Sequence, residues 1–161
     1  MSESEHLADT LAELILEDEN GWFLPVFCAL EGLTAEQAAQ SPGEKFNSPR
    51  AIVRHMTYWM EAVMLRHQGI TPGTQLGEDW SPIPDPVSEE SWEGDKVRLK
   101  QVTLELADLV RGWDVITLNE PYTKSGHSRR QVVQGVIGHN CYHTNEIISV
   151  RHMLGFWLEQ T

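Results

Sequence analysis

Positive charge is in short supply in this 161-residue chain, where 12 lysines and arginines face 24 aspartates and glutamates for a formal net charge of −12 at pH 7. Nucleic-acid binding draws on basic side chains that neutralise phosphates, so such a chain repels a phosphate backbone and nucleic acid is excluded as a direct partner. An anionic membrane surface is excluded on the same ground. Cysteine is nearly absent. Cys28 and Cys141 lie far apart without CxxC spacing, which argues against a disulfide scaffold or a thiol motif and fits a reducing compartment. No apolar run approaches the length that crosses a bilayer, and MSESEHLADT shows no basic leader followed by an apolar stretch. The expectation is a cytoplasmic protein. Alternating strand-like runs, internal repeats and low-complexity tracts are missing too.

What is present is helical periodicity over long stretches, so the fold class is all-α, and 161 residues suit a single domain spanning 1–161. Four main helices are expected. The first covers about residues 5–31, with Leu7, Leu11 and Leu14 on one stripe and an irregularity around Gly21 to Pro25. A short turn at 34–39 follows, where Thr34 and Gln37 have capping-box spacing. The second helix starts at the cap Ser48, with Pro49 in the first turn where its missing N–H costs nothing, and runs to about Gln68 before Gly69. The segment 70–87 then carries four prolines and two glycines. A connection that long can cross the full side of a bundle and let the second and third helices run parallel. The third helix starts at Ser88 or Ser91 and reaches Gly112, with Trp92, Leu99, Val102, Leu106 and Val110 on one stripe. After an irregular segment, 113–127, Ser128 caps a fourth helix that runs to about Leu154 and closes at Gly155.

Three histidines fall on the apolar stripes of these helices. His139 and His143, four residues apart, share the core stripe of the fourth helix with Val132, Val136, Ile147 and Val150, and Glu146 lies on the same face. His55 shares the core stripe of the second helix with Ile52, Trp59, Ala62 and Val63. Histidines at (i, i+4) can present neighbouring nitrogens to one ion, and bundles build metal sites from facing helices. Spacing alone decides little, because seven histidines in this length give about 0.3 such pairs by chance. Three imidazoles converging in an apolar interior need several polar partners, so a divalent metal and individually satisfied core histidines both stay open on these residues. The other histidines, His6, His67, His127 and His152, are expected at the surface, and Trp59, Trp92 and Trp113 in the core.

EGLTAEQAAQSP at 31–42, HMTYW at 55–59 and HNCYHTNEIISVRHMLG at 139–155 together resemble the DinB-like, or DinB/YfiT, metalloenzyme family over most of the chain. The resemblance implies an up-down-down-up four-helix bundle with a long crossover between helices two and three. It also implies a divalent ion, commonly zinc or nickel, on His55, His139 and His143. The chain departs from the family at Asn145 and Glu146, where members often carry Gly-Gln. Glu146 faces the site and has three open roles: fourth ligand, outer-shell acceptor for an imidazole N–H, or acid/base group. Pairing with Arg66 or Arg151 is the plainer alternative.

Three neutral nitrogens leave a position open on the ion, as in catalytic rather than structural zinc sites. Asn140 follows His139, so the HExxH motif of zinc proteases is absent. Relatives in the resembled family include transferases that use a low-molecular-weight thiol such as bacillithiol, mycothiol or glutathione. The implied function is therefore a metal-dependent transferase that activates such a thiol for attack on a small-molecule electrophile in stress or detoxification. The alternatives are a metal-dependent hydrolase using a metal-bound hydroxide with Glu146 as base, and a non-catalytic protein stabilised by its metal. Neither cysteine is placed to act, since Cys141 lies on the opposite face from His139 and Cys28 reads as a small core residue. Glu78, Asp79 and Trp80 of the crossover are candidates for the mouth of the site. A second apolar strip on the fourth helix, Ile137, Cys141 and Ile148, together with Val97 and Leu104 on the third, marks a possible homodimer surface.

Overall fold

A computed structural model describes residues 1–16, 22–83, 87–122 and 126–158. These residues are all-helical, with no strand among them and one isolated bridge between Pro121 and Ser128. The helices are α1 (Glu3–Leu16), α2 (Val26–Leu30), α3 (Ala35–Ala39), α4 (Pro49–His67), α5 (Gly73–Leu76), α6 (Glu89–Arg111), α7 (Val115–Asn119) and α8 (Arg129–Met153). No helix among the described residues is long and apolar enough to cross a membrane.

The long helices begin where local chemistry tells them to. Ser48 Oγ accepts from the Ala51 N–H, Ser88 Oγ from the Ser91 N–H, and Ser128 Oγ from the Gln131 N–H. Each bond satisfies a backbone donor that the first turn leaves without an intrahelical partner. Of the two candidate starts for α6, Ser88 is the cap. The Gln131 side chain returns a bond to the Ser128 N–H, completing a capping box, and Thr34 with Gln37 does the same for α3.

Helices α1, α4, α6 and α8 enclose the core: α1 packs on α6 and α8, and α4 packs on the same two. Leu11 and Ile15, Ile52 and Met56, Leu99 and Leu106, and Val133 and Ile147 meet there with almost no exposure. Each such side chain contributes about 1.5–3 kcal/mol by leaving water. Trp92 is fully buried and its indole N–H donates to the Leu33 carbonyl, tying α6 to the link between α2 and α3.

The expected first helix is not one element. It ends at Leu16, residues 17–21 lie outside the described residues, and Trp22 to Pro25 are non-helical before α2. Pro25, which cannot donate into a preceding turn, sits at the cap of α2. Both irregular segments also contain short helices that periodicity could not register. These are α5 in the crossover and α7, whose cap Asp114 accepts from the Thr117 N–H at 2.7 Å.

Two polar devices fix what surrounds the histidines. Arg151, almost fully buried in α8, donates from Nη1 to the carbonyls of Ala29 and Glu31 and from Nε to that of Phe156. The crossover is tied to α4 by Arg54, whose Nη2 donates to Ser81 Oγ at 3.0 Å while Nη1 pairs with Asp95 of α6. Asp95 also pairs with the fully buried Arg50 through Nε at 2.6 Å. Gly77, at φ +73°, turns the chain just before Glu78, Asp79 and Trp80, a conformation that an L side chain resists.

Candidate metal centre

His55 comes from α4, and His139 and His143 from successive turns of α8. Packing of α4 on α8 brings the three rings together, with centroids 5.0, 4.7 and 4.4 Å apart. One ring nitrogen from each lies within 4.8 Å of one from each of the others, so the three could hold a metal ion. The Nε2 atoms of His55 and His139 are 3.0 Å apart. Zinc–nitrogen bonds of about 2.0–2.1 Å in a tetrahedral arrangement set nitrogens about 3.4 Å apart, so ring rotations of roughly an ångström suffice to close on an ion.

Acidic side chains stand behind two of the three rings. Asp79 Oδ1 lies 2.6 Å from His55 Nδ1, a close contact without hydrogen-bond alignment, since neither atom has a hydrogen-bond partner among the described residues. Its other oxygen accepts from the Trp59 indole N–H at 3.1 Å. Glu146 Oε2 lies 2.7 Å from His143 Nδ1, and its Oε1 is 3.5 Å from Asn47 Nδ2. A carboxylate can only accept, so beside Glu146 it is Nδ1 of His143 that carries the proton, and its Nε2 lone pair is left for a cation. His139 is held more loosely, with Nδ1 at 3.5 Å from Asn140 Oδ1. The donor set fits a divalent ion: three imidazoles on two helices, with carboxylates behind two of them.

Electrostatics keep the rings in the ligating form. Burial pushes His139 down to about 4, and the neighbouring His143 pushes in the same direction. Burial also lowers His55, outweighing the Asp79 carboxylate that favours the charged ring. Desolvation disfavours an imidazolium, so both rings are neutral at pH 7 and offer lone pairs without first releasing a proton. Trp80 stacks on His55 at 3.9 Å with ring planes 10° apart, and Tyr142 stands edge-on to His143 at 4.9 Å.

A family model described as the DinB superfamily matches residues 27–147, a span that holds all three histidines. The chain belongs to the DinB superfamily. No curated protein and no solved structure matches the chain.

In this DinB-superfamily chain the three sequence-predicted histidines converge, and Glu146 takes up the position of an acceptor for an imidazole N–H. Its plainer partners are engaged elsewhere, Arg151 with backbone carbonyls and Arg66 over the Trp59 ring at 5.5 Å. Of the three crossover candidates, Asp79 and Trp80 touch His55. Glu78 does not, and lines a cavity of about 190 Å³ with Asp79, Tyr58, Glu61 and Arg98. Trp59, expected in the core, is only half-buried and borders the centre through Asp79. Asn47, not anticipated, precedes the Ser48 cap of α4 and reaches Glu146 of α8 through Nδ2. His67 and His152 are half-buried rather than at the surface, against Trp113 and Trp157 respectively. Ile137, Cys141 and Ile148 are half-buried too, and both isoleucines pack against the core. Cys141 opens instead on a separate cavity lined by Trp22, Phe23, Leu24 and Asn145.

Proposed function

We propose that this DinB-superfamily chain is a single-domain, up-down-down-up four-helix bundle that works as a metal-dependent transferase. It binds a divalent ion, zinc or nickel, on His55, His139 and His143, and directs a low-molecular-weight thiol such as bacillithiol onto a small electrophile. The observation that carries the reading is the pair of carboxylates, Asp79 and Glu146, set behind two of three converging imidazoles. Core histidines satisfied one by one have no need of that arrangement. It is the second shell that metal-ligating histidines use to fix tautomer and raise basicity.

When bound, the ion supplies Lewis acidity at a position that three protein ligands leave open, which lowers the pKa of a thiol placed there. The chain's own residues supply the rest. Glu146 holds the proton of His143 on Nδ1, and Asp79 places its carboxylate against Nδ1 of His55. Trp80 covers one face of His55 and keeps water from it. The cavity beside Asp79 offers room for the body of a substrate. No cysteine of the chain reaches the histidines, so the nucleophilic sulfur has to arrive with a small molecule. The hydrolase alternative is disfavoured because the Glu146 carboxylate is already committed to His143 and Asn47. The wide separation of Cys28 and Cys141 in sequence, without CxxC spacing, is consistent with work in a reducing cytoplasm.

The test is turnover of model electrophiles by zinc- and nickel-loaded protein, with and without bacillithiol or glutathione, followed by mass spectrometry of the products. The expected result is a thioether or thiol adduct that forms only with thiol and metal together and is lost in His139→Ala. Turnover that needs no thiol overturns the transferase reading.

A further inference from the structure

The carboxyl end of α8 closes over another cavity, away from the histidines. Gly155, at φ +80°, reverses the chain there, and the Phe156 N–H returns to the Arg151 carbonyl at 2.8 Å. That reversal brings Phe156 and Trp157 to the same cavity as Glu31, which follows α2, and Gln37 of α3. Its volume is about 530 Å³, within the ~300–1,000 Å³ that small-molecule sites occupy. Arg151, which also lines it, lies about 12 Å along the helix axis from His143.

Arg151 is the one buried charge in this lining, at 4% exposure. A guanidinium has five N–H groups. Nε donates to the Phe156 carbonyl and Nη1 to those of Ala29 and Glu31, which leaves the two N–H groups of Nη2. Nη2 has no partner among the described residues and is not sealed in the interior, so it opens on the cavity. The carbonyl oxygens align the guanidinium but bring it no counter-charge, and among the described residues no carboxylate pairs with it. Burial accordingly pushes Arg151 below its ordinary range, with Glu31 opposing only at a distance. A charge taken out of water without an opposite charge is costly, and an anion in the cavity would supply one.

The remaining lining says what that anion is attached to. The Gln37 side-chain oxygen accepts from the Thr34 N–H, so its amide N–H groups are left for the cavity. Trp157 is 67% exposed, yet its ring is held by stacking on His152, with centroids 4.4 Å apart and planes 26° apart. An indole fixed in place and left in water is a face on which a flat ligand can stack. Glu31, exposed at the rim, sets one negative charge where a multiply charged anion has to pass.

We propose that this cavity binds a small molecule with a single carboxylate and an aromatic body, the carboxylate held by Arg151 Nη2 and the ring laid on Trp157. Charge-assisted hydrogen bonds supply the affinity. Glu31 supplies the discrimination against phosphates and nucleotides. The site is separate from the histidine centre and needs no metal.

Isothermal titration calorimetry with 3-phenylpropionate tests this, on the zinc-loaded full chain and on His139→Ala, with 3-phenyl-1-propanol and inorganic phosphate as comparison probes. The expected result is saturable one-site binding of the carboxylate by both proteins. The alcohol should bind at least about tenfold more weakly, since it cannot make the charge-assisted bonds, and phosphate should not compete. Trp157→Ala should keep wild-type helix content by circular dichroism and weaken the carboxylate about tenfold. Arg151→Lys should abolish binding; should that variant fail to fold, the alcohol and Trp157→Ala decide the matter. No saturable binding by the wild type, equal affinity for the alcohol, a preference for phosphate, or an affinity unmoved in Trp157→Ala overturns the proposal. Loss of binding in His139→Ala places the probe at the histidine centre and overturns it too.

Discussion

Asp79 is the residue whose removal should tell most about the centre. It holds two groups, His55 Nδ1 at 2.6 Å and the Trp59 indole N–H at 3.1 Å. Replacing it by alanine frees His55 to change tautomer and to rotate off the Trp80 ring. Outer-shell partners of ligating histidines are worth about 10–100-fold in metal affinity, or roughly 1.4–2.7 kcal/mol. The lower half of that range is expected here, because the Asp79 side chain is 30% exposed and Glu146 still orients His143. Alanine also strands the Trp59 N–H, a loss of about 1 kcal/mol of stability in the metal-free protein, at the low end because Trp59 is only half-buried. Asparagine separates the two effects. Its side-chain oxygen can still accept from Trp59, but its charge beside His55 is gone. Asp79→Asn should therefore unfold at nearly the wild-type urea midpoint and yet bind zinc about tenfold more weakly. Chelator-competition titrations give the affinities and urea melts the stabilities. Zinc affinity within about threefold of wild type in both variants, with binding abolished in His139→Ala, would refute the assignment of Asp79 to the centre.

Other outcomes follow from the same geometry. His139 is held at about 4 in the fold against an ordinary 6.5, so the folded chain binds fewer protons than the unfolded one between those values. The stability this contributes is fully present above pH 6.5 and is lost as pH falls through 6.5 toward 4, with His55 shifted in the same direction. Metal-free urea midpoints should fall across that window, less steeply in His139→Gln, and equal slopes would count against the shift. Zinc at about 100 times its dissociation constant should raise wild-type stability by about 2.7 kcal/mol and leave His139→Ala unmoved in thermal melts. Asp95→Ala should cost about 3–5 kcal/mol by leaving the fully buried Arg50 unpaired. Arg50→Met should be close to neutral in the same urea melts, because Asp95 keeps Arg54 and two guanidinium nitrogens of Arg50 have no hydrogen-bond partner among the described residues.

Much of the scaffold was legible because it rests on local rules. Ser48-Pro49, Ser128 with Gln131, and the apolar stripes of α4, α6 and α8 all announce themselves within a few residues. The three histidines were legible for the same reason, since a helical stripe says which way a ring faces. Asp79 was not. Its direction depends on the Gly77 turn and on Ser81 meeting Arg54, 27 residues away in sequence, and no periodicity encodes either. His67 and His152 were misplaced because their burial comes from Trp113 and Trp157, which lie beyond the helices that carry them.

Arg151 has a consequence for how this scaffold can change. Two carbonyl oxygens at the end of α2, those of Ala29 and Glu31, grip one guanidinium, so α8 cannot slide along its axis without breaking both at once. His139 and His143 thus belong to a fixed jaw. Asp79 and Trp80 form the opposite jaw, hung on a turn and a few side-chain bonds that leave the helical core untouched. Substitutions can accumulate on that second jaw, residue by residue, while the grip on the histidines stays as it is.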